Sequence, residues 1–400
     1  MEKQYDVIVC GGGVAGTCAA IAAAGKGAKV LILEQLGCLG GTWTAGLVSW
    51  FIDVANKEGY IINEIMSRLA DMGAGHFARD NCFLCEPEAL KYLLDTMCAE
   101  KQIDVRFYTT VFDVIREENH LKAVKTVSKS GTETFFGGCF IDATGDGDVC
   151  AMCKVPFSKG NEKGQMQPMT LFALIDGPEY EQMIPFDNAL PYIEGEDTPK
   201  IRLKKEIERA GMEPSQKAPA MYHIFNNIYL FTVNHEYEKD GTDADSLTDA
   251  TIRARAEIHR IVEALRKLDG VWANVRLVST AQMIGVRESR RILGRYTVTR
   301  KDVENGAKFD DAICRVSSGI DIHALNEQNP TGFEAESDAF ERDYQIPLRA
   351  AVCKGMENLL MAGRCISGDF YAHASYRVTG NMAVVGENVG KYAVALQRVL

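Results

Sequence analysis

Four residues near the start of the chain have the types and the spacing to hold a phosphate. Gly11, Gly13 and Gly16 form a G-x-G-x-x-G turn, and Glu34 stands 23 residues after Gly11. In such a turn the first glycine permits a tight bend. The second lets the backbone approach a pyrophosphate with no Cβ in the way, and the third lets a helix pack closely on a strand. Val14 and Ala15 lie between the second and third glycines, where the start of a following helix offers free N–H groups and the positive end of its dipole to the phosphates. An acid about 20 residues on accepts hydrogen bonds from ribose hydroxyls. Glu34 favours a free 2′-hydroxyl, which suits NAD or FAD and not NADP.

The elements that must position these residues are legible around them. "YDVIVC" reads as a short buried strand, "AGTCAAIAAAGKG" as a helix of small residues, and "KVLILE" as a second strand closed by Glu34 and followed by Gln35. A plain strand-to-helix turn does not explain why an acid closes an apolar strand. "GCLGGTWTAG" then places Gly40, Gly41 and Thr42 just after the second strand. "CEPEALKYLLDTMCAEKQ" is a helix with Pro87 in its first turn and Leu90, Leu93, Leu94 and Met97 on one face. "TETFFGGCFIDATGDGDV" returns to the same sheet, with Ala143, Thr144 and Gly145 small enough to sit beneath a cofactor. Asp146 and Asp148 read as turn and helix-capping residues rather than site carboxylates.

From about 165 to 345 the composition shifts towards prolines, aromatics and short alternating patterns such as "MYHIFNNIYLFTVNH". "TIRARAEIHRIVEALRKLDG" is an amphipathic helix ended by Gly270. This segment reads as a second, α+β domain inserted into the first. The expected division is 1–165 with 345–400 for the cofactor and 166–344 for a substrate or cap domain. "NLLMAG" is a buried strand, and "NMAVVGENVGKYAVALQRVL" a helix whose Gly386 and Gly390 permit close packing against the sheet.

Taken in order, these segments resemble the FAD-dependent oxidoreductases of the glutathione-reductase-type structural group, and among them a bacterial family. The residues that carry the resemblance are Gly11/Gly13/Gly16, Glu34, Gly40-Gly41-Thr42, "FIDATGDGDV" at 140–149 and "NLLMAGRCIS" at 358–367. It continues through "QPMTLFAL" at 167–174, "IGVRESRRILGRYTV" at 284–298 and "AHASYRVTGNMAVVGENVG" at 372–390, so it runs nearly end to end. It implies FAD as the cofactor and an α/β, Rossmann-like FAD-binding domain with an inserted substrate domain. It also puts backbone near Val111 against the adenine, adds Gly363 and Arg364 to the cofactor's surroundings, and points the helix start at Gly380, Asn381 and Met382 towards the pyrimidine end of the flavin. One departure is informative. Flavin disulfide reductases carry a redox cysteine pair shortly after the double glycine, where this chain has Trp43, Ala45 and Gly46. Cys38 has no close partner and reads as a packing residue, with a flavin-adjacent thiol as the alternative.

In such enzymes the flavin carries the chemistry while the protein binds and polarises. His373 and Arg377, in "AHASYRVTGN", are similar to the histidine–arginine–glycine run before the flavin-facing helix of fumarate-reductase-like enzymes, where the arginine helps bind a substrate carboxylate. A structural histidine and a clamp within the fold are the plainer readings. Arg287, in "GVRESRR", either faces an anionic substrate or belongs to a salt-bridged strand. If the segment is a strand, Arg287 and Ser289 share one face. The function expected is oxidation or reduction of a small organic substrate by hydride or electron transfer, with a separate electron acceptor. A flavoprotein redox sensor and a flavin-dependent transferase are the rivals.

Composition narrows the field. The chain has 400 residues, 46% apolar and 25% charged, with a net charge of -11 and no basic stripe, which argues against nucleic acid as a partner. No apolar run reaches the ~20 residues a membrane helix needs. The first strand leads straight into the glycines without the pattern of a signal peptide. Twelve scattered cysteines read as free thiols of a cytoplasmic protein. The two CxxC pairs, Cys82/Cys85 and Cys150/Cys153, lack the compact spacing of zinc ribbons, so no metal is expected.

Overall fold

Strands that are apolar along their whole length belong in a sheet covered on both faces, and such sheets are parallel. In the computed structural model, which describes residues 4–55, 57–79, 81–191, 195–335, 337 and 342–399, that sheet is the centre of the molecule. Its parallel strands run in the order Asp104–Arg106, Val30–Leu33, Gln4–Cys10, Gly131–Asp142, with Leu359–Met361 beyond. From the central strand Gln4–Cys10 the chain winds out to one edge, then returns to the other side. A crevice opens where the order reverses, outside the carboxyl ends of the strands. Gly131–Asp142 is long enough to do two things. Its first half joins His120–Ser128 and Thr110–Glu117 in an antiparallel meander, and its second half completes the parallel sheet. The α/β fold with a Rossmann-like sheet is therefore as expected from the sequence.

Helix Val14–Gly25 is buried from Val14 to Ala23, because it lies between the sheet and the last helix, Thr379–Gln397. The two helices touch backbone to backbone. A Cβ at Gly386 would stand 2.1 Å from the Ala15 carbonyl oxygen, and one at Gly390 2.1 Å from that of Ala19. The close packing expected of these glycines is thus made on the first helix, not on the sheet. Small residues four apart on both partners allow it.

A second sheet is wholly antiparallel, in the order Ala220–Phe225, Ile228–Thr232, Ala173–Asp176, Arg276–Thr280. Helices Pro199–Arg209 and Ala244–Leu265 accompany it, and Leu203, Ile207, Ile258, Ile261 and Trp272 are buried in its core. The longer helix starts before its apolar stripe, where the Asp243 carboxylate caps it by accepting from the Ser246 N–H at 2.8 Å. Gly270 heads a short 3-10 turn beyond the helix rather than ending it. Ile292, Val298, Ile313, Ile320, Ile322 and Tyr344 pack into the core of the first sheet. Gly285 makes a single antiparallel bridge to Thr170, residues 286–290 form no ladder, and Arg291–Ile292 then pairs with Phe157–Ser158. The strand alternation considered for Arg287 and Ser289 does not apply there. Among the described residues no helix is long and apolar enough to cross a membrane.

Candidate active site

The turns at Gly11–Gly13, Gly40–Gly41, Gly145 and Gly363 each come after the carboxyl end of a parallel strand, so the fold gathers them at one end of the sheet. Gly11 has φ +102°, and a Cβ on it would stand 2.4 Å from the Ala143 carbonyl oxygen. At Gly16 a Cβ would stand 1.9 Å from the Gly11 carbonyl oxygen. Gly13 differs: a Cβ there would meet nothing within 4 Å. The fold itself leaves room at Gly13, next to the uncapped start of helix Val14–Gly25. Gly40 donates its N–H to the Gly12 carbonyl at 2.8 Å, which lays the Gly40–Gly41–Thr42 turn against the first loop. An open cradle of glycine backbone at a helix start fits a pyrophosphate.

Glu34 is buried at the end of its strand. One carboxylate oxygen accepts from the Gly12 N–H at 2.6 Å, the other from the Leu36 N–H at 2.7 Å. Burial raises its pKa, and these backbone donors oppose the rise. Each oxygen keeps a second lone pair for a ribose hydroxyl. Gln35, next in the chain, is exposed. Val111 lies in the meander strand that starts just after Thr109, whose N–H donates to the Glu34 carbonyl at 2.9 Å. Ala143 donates its N–H to the Cys10 carbonyl at 2.8 Å, while Thr144 and the Cys150 N–H hold the buried Asp142 carboxylate. Gly145 and Gly363 have φ +83° and +105°. Arg364 is half-buried and ion-paired to Asp146 at 2.6 Å, with Ser289 bonded to both. Asp146 therefore anchors an arginine rather than capping a helix, while Asp148 sits in the first turn of helix Asp148–Met152 and pairs with Arg290.

The last helix has no side-chain cap at its start, where Gly380, Asn381 and Met382 are buried. The Asn381 amide is held from behind. Its oxygen accepts from Lys57 Nζ at 2.6 Å, and Lys57 is ion-paired to buried Asp53 at 3.0 Å. This lysine–aspartate support had no signal in the sequence beyond two charged residues four apart.

Two of the three proposed catalytic residues meet. Arg287 donates to the Pro168 carbonyl at 2.7 Å and to Thr170 Oγ1 at 2.8 Å, and its other nitrogen lies 3.3 Å from His235 Nε2. Arg377 donates to Gln167 Oε1 at 3.2 Å and to the Asp321 carbonyl at 2.9 Å, and is ion-paired to the Asp321 carboxylate at 3.4 Å. Each guanidinium is lowered from its ordinary value by burial, and Arg287 further by Arg377 beside it. Both remain protonated at neutral pH. Burial works to raise Asp321, yet His323, Arg377 and Arg287 hold its carboxyl well below the usual carboxylate range. His323 stands 3.5 Å from Asp321 and 5.1 Å, ring to ring, from His235. Burial, then Arg287, push His323 down to about 4, and burial, Arg287 and His323 push His235 down too. Sequence reading singled out neither Gln167, Asp321 nor His323. Gln167 opens a segment quoted above without a role of its own, and Asp321 and His323 lie far from it in the chain, in a stretch with no motif.

His373 sits one helical turn before Arg377, fully buried, and neither ring nitrogen has a hydrogen-bond partner among the described residues. Burial, with Arg291, Arg377 and Arg364 nearby, holds it neutral. Cys38 is buried with its sulfur 3.8 Å from Thr44 Oγ1. Cys150 meets Cys353, sulfur to sulfur at 3.3 Å, rather than Cys153.

Comparison with known proteins adds to this geometry. A family model described as FAD dependent oxidoreductase matches residues 6–398. A curated relative, the thiamine thiazole synthase of Methanococcus aeolicus, is 30% identical over 159 residues, which cover 38% of this chain and 58% of that protein. The chain thus spans little more than half of that relative's length. Two solved structures superpose along the whole chain. One is a geranylgeranyl bacteriochlorophyll reductase-like protein of Thermoplasma acidophilum, with a TM-score of 0.50, 12% identity, and coverage of 100% of this chain and 79% of that one. The other is the p-nitrophenol 4-monooxygenase of Pseudomonas putida, with a TM-score of 0.50, 10% identity, and coverage of 100% and 82%. At such identity the two structures speak for the fold alone.

Proposed function

Because the chain belongs to the family of FAD dependent oxidoreductases, we propose that it oxidises or reduces a small anionic organic molecule bound beside Arg287 and Arg377. FAD supplies the hydride and electron chemistry when bound. The chain's own glycine turns, with Glu34 and the start of the last helix, would hold it.

One observation carries the choice of an anionic substrate. Arg364, Arg290, Arg291 and Arg377 are each matched to a carboxylate: Asp146, Asp148, Glu288 and Asp321. Arg287, in contact with the same cluster, meets only neutral acceptors. Asp321 acts on it through space while bonded to Arg377, so a guanidinium whose own hydrogen bonds go to neutral groups is ready to receive an anion of its own. Arg287 then binds the anionic group and Arg377 orients it. His373, neutral and buried, polarises or exchanges a proton near the reacting carbon. The insertion between 166 and 344 serves as the substrate's cover.

Anaerobic photoreduction of the purified protein, followed by a screen of small carboxylates and oxidants for reoxidation of the flavin, tests the reading. Arg377→Met and His373→Ala should keep the yellow spectrum and lose substrate-linked flavin turnover by ~10²–10⁴-fold, the range for lost acid–base assistance. Full turnover in both variants would overturn the assignment of these two residues.

A further inference from the structure

We propose that Arg287, Arg377, Gln167 and His323 form a carboxylate-binding site that takes up a proton on His323 as the anion enters. The proposal rests on the substrate position given above and narrows its class to a carboxylate.

Donors outnumber acceptors in this cluster. Among the described residues Gln167 Nε2 and Arg377 Nε are buried N–H donors without an acceptor, and His323 Nδ1 is buried without a partner. The three side chains belong together, because Gln167 Oε1 accepts both from Arg377 Nη2 at 3.2 Å and from the His323 backbone N–H at 3.1 Å. A buried donor left unpaired costs about 1–3 kcal/mol, more if charged. The cluster's own carboxylate, Asp321, is already shared by Arg377 and His323, so the remaining donors are open to a second acceptor with negative charge. Two oxygens in one plane match a guanidinium fork, and a carboxylate brings up to four lone pairs to the remaining donors.

The proton follows from the charges facing His323. Its Nε2 is turned to Asp321 at 3.5 Å, and its ring stands edge-on to His235. Arg287 and Arg377 are the cations that act on it. Burial first, and then two cations against one carboxylate, keep the ring neutral, with its proton on the Nε2 side that faces Asp321 and a bare lone pair on Nδ1. Entry of a second anion balances the arginines. A proton on Nδ1 then turns that nitrogen into a donor for the incoming carboxylate, while Asp321 keeps Nε2. The sign is fixed by linkage: a complex that holds more protons than the free protein forms more tightly as pH falls.

The test is calorimetric titration of the FAD-loaded protein with acetate at about pH 6.5, in two buffers of different ionisation enthalpy, so that the difference in heat counts protons. Acetate should bind with net proton uptake, and its affinity should rise between about pH 8 and about pH 6. Acetamide, neutral and of the same shape, should not bind. His323→Gln should lose both the uptake and the pH dependence. Histidine ring nitrogen spectra of the unchanged protein should show one imidazole becoming imidazolium on addition of acetate. Arg287→Met should weaken acetate at least about tenfold. If that variant loses its flavin spectrum, Arg287→Lys takes its place and should show a smaller loss in the same direction. Binding without proton uptake, uptake that survives in His323→Gln, equal binding of acetamide, tighter binding of inorganic phosphate, or no binding of acetate would each overturn the proposal. The visible spectrum of the same samples separates the two readings. Yellow protein that ignores acetate defeats the carboxylate site alone. Protein that cannot be loaded with flavin defeats the oxidoreductase reading, while calorimetry still decides the site.

Discussion

Gly11 and Gly13 are two residues apart and do different work. At Gly11 the positive φ and the Ala143 carbonyl forbid a side chain, so Gly11→Ala should lower stability by about 1–3 kcal/mol, as strain at such positions does. Chemical denaturation measures it. At Gly13 the backbone is extended and the space is open, so Gly13→Val should leave denaturation nearly unchanged and abolish FAD binding. A Gly13→Val protein that retains FAD at the wild-type ratio after denaturation and flavin assay would contradict the cradle. Glu34→Ala strips two buried N–H groups of their acceptor as well as the cofactor of its own. It should weaken FAD by about 1–3 kcal/mol and also lower the stability of the flavin-free protein, which separates it from Gly13→Val. These features were legible in the sequence because the glycine spacing and the acid that closes the second strand form one recurrent pattern within a single strand–turn–helix–strand unit. Asp321 and His323 were not. Their meaning comes from Arg287, Arg377 and His235, which only the finished fold brings beside them.

Elements carry their own test in the crossing of the first and last helices. Gly386→Ala would force a methyl against the Ala15 carbonyl, in the first turn of the phosphate-binding helix. Overpacking of this kind costs about 1–3 kcal/mol. Thermal denaturation should register the loss, and FAD affinity should fall with it, although Gly386 lies a helical turn beyond the buried start at Gly380 to Met382. Gly25→Ala is the control. A Cβ there meets nothing within 4 Å, and a glycine-to-alanine change in a helix gains up to about 1 kcal/mol. The spacing of Gly386 and Gly390 announced a close contact but not its partner, since alanines on a helix and a flat sheet ask the same of a glycine. Likewise the apolar stripe of Ala244–Leu265 marked a helix, yet its start at Asp243 depended on a cap outside the stripe.

Across the whole molecule, two cores meet the crevice with different stakes in the cofactor. The glycine turns and the start of the last helix belong to the first sheet, while the core of the second is drawn mostly from Met169 to Ile284, with Leu47 and Leu84 added. Removal of FAD should therefore speed amide exchange at residues 11–16, 40–46 and 379–382 and leave the strands Ala220–Phe225 and Ile228–Thr232 as protected as before. Hydrogen exchange with and without flavin reads this directly. Uniform loss of protection would mean that the two cores unfold as one unit. The contact of Gly386 and Gly390 with Ala15 and Ala19 also bears on synthesis. The phosphate-binding helix is translated long before the helix that covers it. Until then its alanine face is bare, and the nascent chain has no finished place for a flavin. A message broken before the codon for Gly386 would yield a chain with most of its strands and an uncovered helix, which chaperones and proteases recognise.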